Sequence, residues 1–292
     1  MYFFRREKVQ CRYQFSLRDA VDITLLQRAL TAALASAPYY TQRLVQEKRE
    51  MWLEPNTEPC LVYHGSTMRN IPEQTNGYLF CISCEGDTVY FDWHHFLLDG
   101  HGVSPLFTSI LEQYCNLRYG TAFAVQQIVC DPPYDMEAML AEYPPVEAGS
   151  DVIQRDVVQT YEGALRRTRV CLSKQSLVEK ALENNAKPVS ALMSLLCMAM
   201  REYLGKEKIQ YSYSSDTRDV AGVPHALYNC VCSFEHTVQL QAKTRLADLV
   251  SDIDADIKRD LQPQSKRRRM TEQMGWVYKV DQQKAPLRIK QR

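Results

Sequence analysis

Cys11, Tyr13, Phe15 and Leu17 alternate with Arg12, Gln14, Ser16 and Arg18. A period of two puts the first set on one face, which predicts a half-buried strand. Further on the period lengthens. Leu25, Leu26, Ala29, Leu30, Ala33 and Leu34 form one helical stripe, with Asp22 placed to cap it and Pro38 to stop it. Two apolar runs, Tyr78 to Cys84 and Thr88 to His94, flank Glu85-Gly86-Asp87 and predict a hairpin with glycine in its turn. A helix is expected from about Pro105 to Arg118, with Ser104 as its cap and Leu106, Ile110, Leu111 and Tyr114 facing inward.

From Asp131 to Gln154 the texture changes. Asp131, Asp135, Glu137, Glu142, Glu147 and Asp151 occur there without a Lys or Arg, and Pro132, Pro133, Pro144 and Pro145 interrupt regular structure. This stretch is expected to connect two lobes, an N-terminal one over 1–150 and a C-terminal one over 151–292. In the second half, Leu165 to Leu172, Lys208 to Ser214 and Cys230 to Leu240 predict strands. Ser176 to Glu183, Val189 to Leu204 and Leu246 to Asp260 predict helices, with Ser176 and Glu179 spaced as a capping box. Strands and helices mixed in both halves give an α/β class.

Composition narrows the partners. The chain has 292 residues, about two domains' worth, with 45% hydrophobic and 24% charged residues, as in soluble globular proteins. Lys+Arg and Asp+Glu are 35 each, so no overall field favours nucleic acid or a membrane surface. Arg5, Arg6, Glu7 and Lys8 replace the apolar run of a signal peptide. The most apolar stretch, Ala191 to Met200, is half of the roughly twenty residues that a membrane span needs. A cytoplasmic protein with no membrane span is expected, and its ten cysteines are expected to be reduced and mostly packed.

Several groups invite a chemical role. Cys81 and Cys84 have C-x-x-C spacing, but residues three apart on a strand point to opposite faces, and no metal site is expected. Cys115, Cys130 and Cys197 lie in apolar or unspecific contexts that suit packing better than nucleophilic attack. Lys266-Arg267-Arg268-Arg269 after Pro263 suits a solvated loop, with phosphate contact as the alternative.

The informative segment is His94-His95-Phe96-Leu97-Leu98-Asp99-Gly100. Val89, Phe91, Trp93 and His95 are expected on one strand face, so that His95 emerges where a packed strand ends. An imidazole titrates near neutrality and suits a general base, and a rigid strand end is a good place to hold one. Asp99 follows, and Gly100 and Gly102 allow a close backbone approach.

The segment resembles the H-H-x-x-x-D-G signature of peptide-synthetase condensation domains, whose superfamily includes chloramphenicol acetyltransferase and the plant H-x-x-x-D acyltransferases. The wider string from Phe91 to Gly102, followed by Phe107 and Leu111-Glu112-Gln113-Tyr114, looks especially like stand-alone alcohol O-acetyltransferase relatives. Ala37-Pro38-Tyr39-Tyr40 also sits where that family has its first elements. The resemblance implies a two-lobed chloramphenicol acetyltransferase-like sandwich. Because family members are longer, it also implies a second lobe truncated at the C-terminus.

The same resemblance implies His95 as the base and Asp99 as a structural residue. Arg218, in Ser214-Ser215-Asp216-Thr217-Arg218-Asp219, resembles the family's arginine that pairs with the aspartate and shapes the site with Gly100. His94 is expected to pack or orient the backbone. The implied activity is acyl transfer from a thioester to a hydroxyl or amine, with no permanently bound cofactor. The co-substrate is acyl-coenzyme A or a phosphopantetheine thioester on a carrier protein, and the acceptor is a small molecule. A non-catalytic binding or docking module that keeps the fold without turnover is the reading from another class.

Overall fold

The computed structural model describes residues 10–48, 50–95, 97–144 and 170–282. The chain divides into two compact units, and they do not follow one cut at 150/151. The first takes the chain up to Asp135 and also Arg218–Val231, while the second takes Met136–Thr217 and Cys232–Gly275.

In the first unit, β1 (Gln10–Ser16) is followed by α1 (Ile23–Ala35). The strand forms as expected but its burial does not alternate, since Tyr13 and Phe15 stay exposed, and Asp22 caps the helix by accepting the Thr24 and Leu25 amides. Pro38 opens a single 3₁₀ turn, Pro38–Tyr40. Three short strands follow that no strong periodicity announces: β2 (Gln42–Gln46), β3 (Met51–Pro55) and β4 (Val62–His64). The hairpin of β5 (Phe80–Glu85) and β6 (Thr88–His94) turns through Gly86, whose φ of 60° is a left-handed conformation that favours glycine. The main sheet has the order β1-β6-β5-β4, antiparallel except for the β4–β5 pair, and β2 and β3 form a separate antiparallel ribbon.

The helix after the hairpin, α2, runs over Gly100–Tyr119. It starts five residues before the expected Pro105, because its cap is the side chain of Asp99 and not Ser104. Pro105 lies inside the helix. α1 and α2 pack together against one sheet face. Leu26, Leu30, Leu106 and Ile110 meet Phe80, Ile82, Val89 and Phe91, all at most 1% exposed. Each fully buried aliphatic or aromatic side chain of this kind contributes about 1.5–3 kcal/mol.

The second unit holds α3 (Met136–Glu142), α4 (Lys174–Glu183), α5 (Pro188–Leu204), β7 (Lys208–Asp216), β8 (Val231–Gln239), α7 (Leu246–Asp260) and most of α8 (Pro263–Asp281). The one-turn α6 (Arg218–Ala221) belongs to the first unit. α3 lies within the expected connector, whose residues beyond 144 are outside the described ones. So are most of the predicted strand from Leu165 to Leu172 and the basic tail after 282, and Val170 to Leu172 are not in a strand. Ser173, not Ser176, caps α4, with its Oγ accepting the Ser176 amide.

The basic run Lys266 to Arg269 lies in α8, not in a solvated loop. Lys266 is buried, Arg267 donates to Tyr143 Oη at 3.0 Å, and Arg269 donates to the Ser233 carbonyl at 2.6 Å. Among the described residues no helix is long and apolar enough to cross a membrane.

The core of the second unit joins Cys197 of α5, Ile209 and Tyr211 of β7, and Leu249, Ile253 and Ile257 of α7. α5 has no capping side chain of its own, since Lys187 precedes it. Asp254 of α7 supplies one. Its Oδ1 accepts the Lys187 amide at 2.9 Å and Ser190 Oγ at 2.7 Å, and its Oδ2 pairs with Lys258 Nζ at 2.6 Å. Burial pushes the Asp254 carboxyl up, but these donors outweigh it and hold the group below its ordinary value. Asp254→Ala leaves two donors without their acceptor and is expected to lower stability by about 1–3 kcal/mol. Urea denaturation followed by circular dichroism measures this, and an unchanged midpoint would show that the borrowed cap contributes nothing.

Candidate functional site

β6 ends at His94, so the strand's alternation stops one residue short of His95, which lies in the turn that follows. His94 is fully buried. Its amide donates to the Leu79 carbonyl at 2.8 Å, and its own carbonyl accepts the Leu97 amide at 3.0 Å. These bonds close the turn that carries His95.

Three aromatic side chains hold the rest of the loop by its carbonyls. Tyr39 Oη donates to Leu97 at 3.0 Å, Trp93 Nε1 to Leu98 at 3.1 Å, and Tyr40 Oη to Gly102 at 2.6 Å. Burial pushes both phenols far above their ordinary value, so they remain donors.

Asp99 lies at the centre, 3% exposed. Its Oδ1 accepts the Gly102 amide at 2.8 Å and Arg218 Nη2 at 3.0 Å, and its Oδ2 accepts the Cys230 amide at 2.9 Å and faces Arg218 Nη1 at 3.0 Å. Arg218, also 3% exposed, donates from Nε to the Ala226 carbonyl at 2.7 Å and from Nη2 to the Tyr228 carbonyl at 2.9 Å. Burial pushes the Asp99 carboxyl up. The hydrogen bonds from Arg218, Cys230 and Gly102, with the charge of Arg218, more than offset that and hold it below the usual carboxylate range.

The two glycines of the motif differ in what they permit. A Cβ on Gly102 would lie 1.8 Å from the carbonyl oxygen of Leu227, so only glycine fits there. A Cβ on Gly100 would meet nothing closer than Tyr13 Oη at 3.2 Å. The close approach allowed by Gly102 lets the turn bearing Leu227 settle on the first turn of α2.

That turn delivers Asn229, a residue that no spacing in the sequence singles out. Its Nδ2 lies 3.2 Å from His95 Nδ1, and its Oδ1 accepts the Val231 amide at 3.2 Å. In this orientation Nδ1 accepts, and the neutral imidazole carries its proton on Nε2. Turning the amide over presents Oδ1 to an Nδ1–H and leaves Nε2 as the basic nitrogen. That second orientation gives up the Val231 bond, because it points the Nδ2 donor at the Val231 amide.

Burial disfavours the thiols that the sequence singles out as candidate nucleophiles. Burial raises Cys115 and Cys130 above the ordinary thiol value and pushes Cys197 up to about 11. Cys81 is likewise pushed up to about 12 by burial, and Cys84 packs in the core. No group of His, Cys, Asp or Glu among the described residues is arranged to hold a metal ion.

Asp99→Asn removes the carboxylate that faces the buried Arg218 guanidinium, and breaking such a pair typically costs about 3–5 kcal/mol. A carboxyl held low in the folded state stabilises above its unfolded value of about 3.9, and that contribution is lost as pH falls through the lower folded value. The stability gap between parent and variant should therefore be flat from pH 7 to about 5 and close only below about pH 4. Urea midpoints across that range test it, and a variant as stable as the parent at pH 7 would remove the pair's structural role.

No family model and no curated protein matches the chain. Solved structures do. Polyketide synthase associated protein 5 from Mycobacterium tuberculosis superposes with a TM-score of 0.66 at 20% identity, over 89% of this chain and 71% of that one. The first condensation domain of the calcium-dependent antibiotic synthetase, in complex with a substrate analogue, gives 0.59 at 14% identity, over 88% and 70%. F. graminearum TRI101, complexed with coenzyme A and deoxynivalenol, gives 0.57 at 12% identity, over 92% and 74%. The chain therefore has the mixed α/β fold of the condensation domains and the chloramphenicol acetyltransferase-like acyltransferases.

Proposed function

We propose that this chain transfers an acyl group from a thioester to a hydroxyl or amine, with His95 as the general base. The observation that carries this reading is the fixed placement of His95. Its loop is held by Tyr39, Trp93 and Tyr40, its Nδ1 faces Asn229, and Asn229 rides on the turn that Asp99 and Arg218 secure. A base contributes most when its ring is held in one orientation against the proton it must take.

The neighbouring residues divide the work. His95 takes the proton from the acceptor as its oxygen or nitrogen attacks the thioester carbonyl. The tetrahedral intermediate then collapses, the C–S bond breaks, and the imidazolium returns the proton to the departing thiolate. No acyl-enzyme is needed, in keeping with burial that disfavours the thiolate forms of Cys115 and Cys197. Asp99 does not take part in the proton's path, because its oxygens are already occupied by Gly102, Cys230 and Arg218. The coenzyme A bound to TRI101 supports acyl-coenzyme A as donor, and the likeness to a synthetase condensation domain supports a carrier-bound pantetheine thioester.

His95→Ala should reduce transfer by about 10²–10⁴-fold with little change in thioester affinity, since the imidazole acts mainly in the transition state. Asn229→Ala, which removes only the positioning of the ring, should lower kcat less and leave KM nearly unchanged. Thiol release from a panel of acyl-coenzyme A and carrier-bound thioesters measures both, with melting temperatures to establish that the variants are folded. A folded His95→Ala protein as fast as the parent would refute the base, and a parent inert to every thioester would refute the activity.

A further inference from the structure

The first unit contains a cavity of about 460 Å³ between α2, the segment 126–129 and the turn 224–227. Neither His95, Asp99, Arg218 nor Asn229 lines it. Its walls are fixed by bonds already within the protein. The Ile128 amide donates to the Ser36 carbonyl at 3.0 Å, the His225 amide to Asp131 Oδ2 at 2.7 Å, and the Leu227 amide to Cys130 Sγ at 3.4 Å. The Ala226 carbonyl is held by Arg218 Nε at 2.7 Å. With Ile128 and the turn 225–227 held, a cavity of this size takes a small molecule with less entropic cost of ordering its lining.

The lining has a definite chemistry. Glu112 is its one carboxylate, and neither Lys nor Arg belongs to it. Gln126 and Gln127 offer amides, and His101 and His225 stand exposed as imidazoles. Ser109, 7% exposed, lines the same cavity, and its Oγ has no hydrogen-bond partner among the described residues. A rotation of that hydroxyl towards a ligand gains a bond the protein itself does not supply. With a carboxylate and no fixed cation, the cavity disfavours phosphates and carboxylates and favours an amine, while the amides, hydroxyl and imidazoles suit hydroxyl groups.

We propose that this cavity is a second ligand site, separate from the His95 site, for a hydroxylated amine the size of a single sugar ring. Glu112 pairs with the ammonium, and Ser109, Gln126 and Gln127 take the hydroxyls.

The test uses the full chain, with glucosamine, glucose and glucose 6-phosphate as probes at one fixed pH. The imidazole ring-proton NMR signals are assigned by single His→Gln variants among the six histidines of the chain. Glucosamine should shift the His101 and His225 signals saturably, glucose should do so more weakly, and glucose 6-phosphate should not. Glu112→Gln should weaken glucosamine about tenfold or more, the usual loss when a charged hydrogen bond is removed. The absence of a saturable shift with glucosamine, equal binding of glucose 6-phosphate, or unchanged affinity in Glu112→Gln would each overturn the proposal. So would a shift confined to His95, which would place the ligand at the other site.

Discussion

The Asp99 carboxylate is the constraint from which the first unit's functional geometry follows. A carboxylate has about four lone-pair directions, and here two backbone amides and both Nη atoms of Arg218 meet them. Burying two charges is expensive, and such a pair is tolerable only when geometry and further hydrogen bonds satisfy both partners. Arg218 is satisfied in the same way, giving two further donors to the carbonyls of Ala226 and Tyr228. One acid thus caps α2, anchors an arginine from α6 and fixes the start of the strand that follows Asn229.

This arrangement separates the roles of two neighbouring polar residues. A group whose every acceptor site is filled by fixed donors has no lone pair to offer a substrate. His95 differs in that a neutral amide, Asn229 Nδ2, faces its Nδ1 at 3.2 Å. The distinction rests on hydrogen-bond satisfaction and not on distance along the chain, since only three residues lie between His95 and Asp99.

Much of the first unit was legible because α1 buries one stripe, while β5 and β6 are apolar runs buried on both faces on either side of a glycine turn. Asp22 was visible as a cap for the same reason, standing alone before a clear stripe. The start of α2 was misplaced because Pro105 is a strong local signal, while the cap at Asp99 depends on an arginine far away in sequence. β2, β3 and β4 are short and patterned by tertiary contacts, and α8 is polar enough to pass for a loop. Of the candidate site, His95, Asp99 and Arg218 were proposed from a family resemblance. Asn229 was not, because what selects it is the position of a turn that settles on Gly102.

The Asp99–Arg218 contact spans 119 positions, the Cys230–Asp99 contact 131 and the Asn229–His95 contact 134. Long loops must close before such contacts return any free energy, so these form late in folding compared with the hairpin and helices that surround Asp99. On a ribosome, most of the first unit emerges while its central carboxylate still lacks its arginine. Until Arg218 and Cys230 arrive, that acid is a buried-to-be charge in an unfinished core, and the nascent chain at this stage is the one most exposed to misassembly.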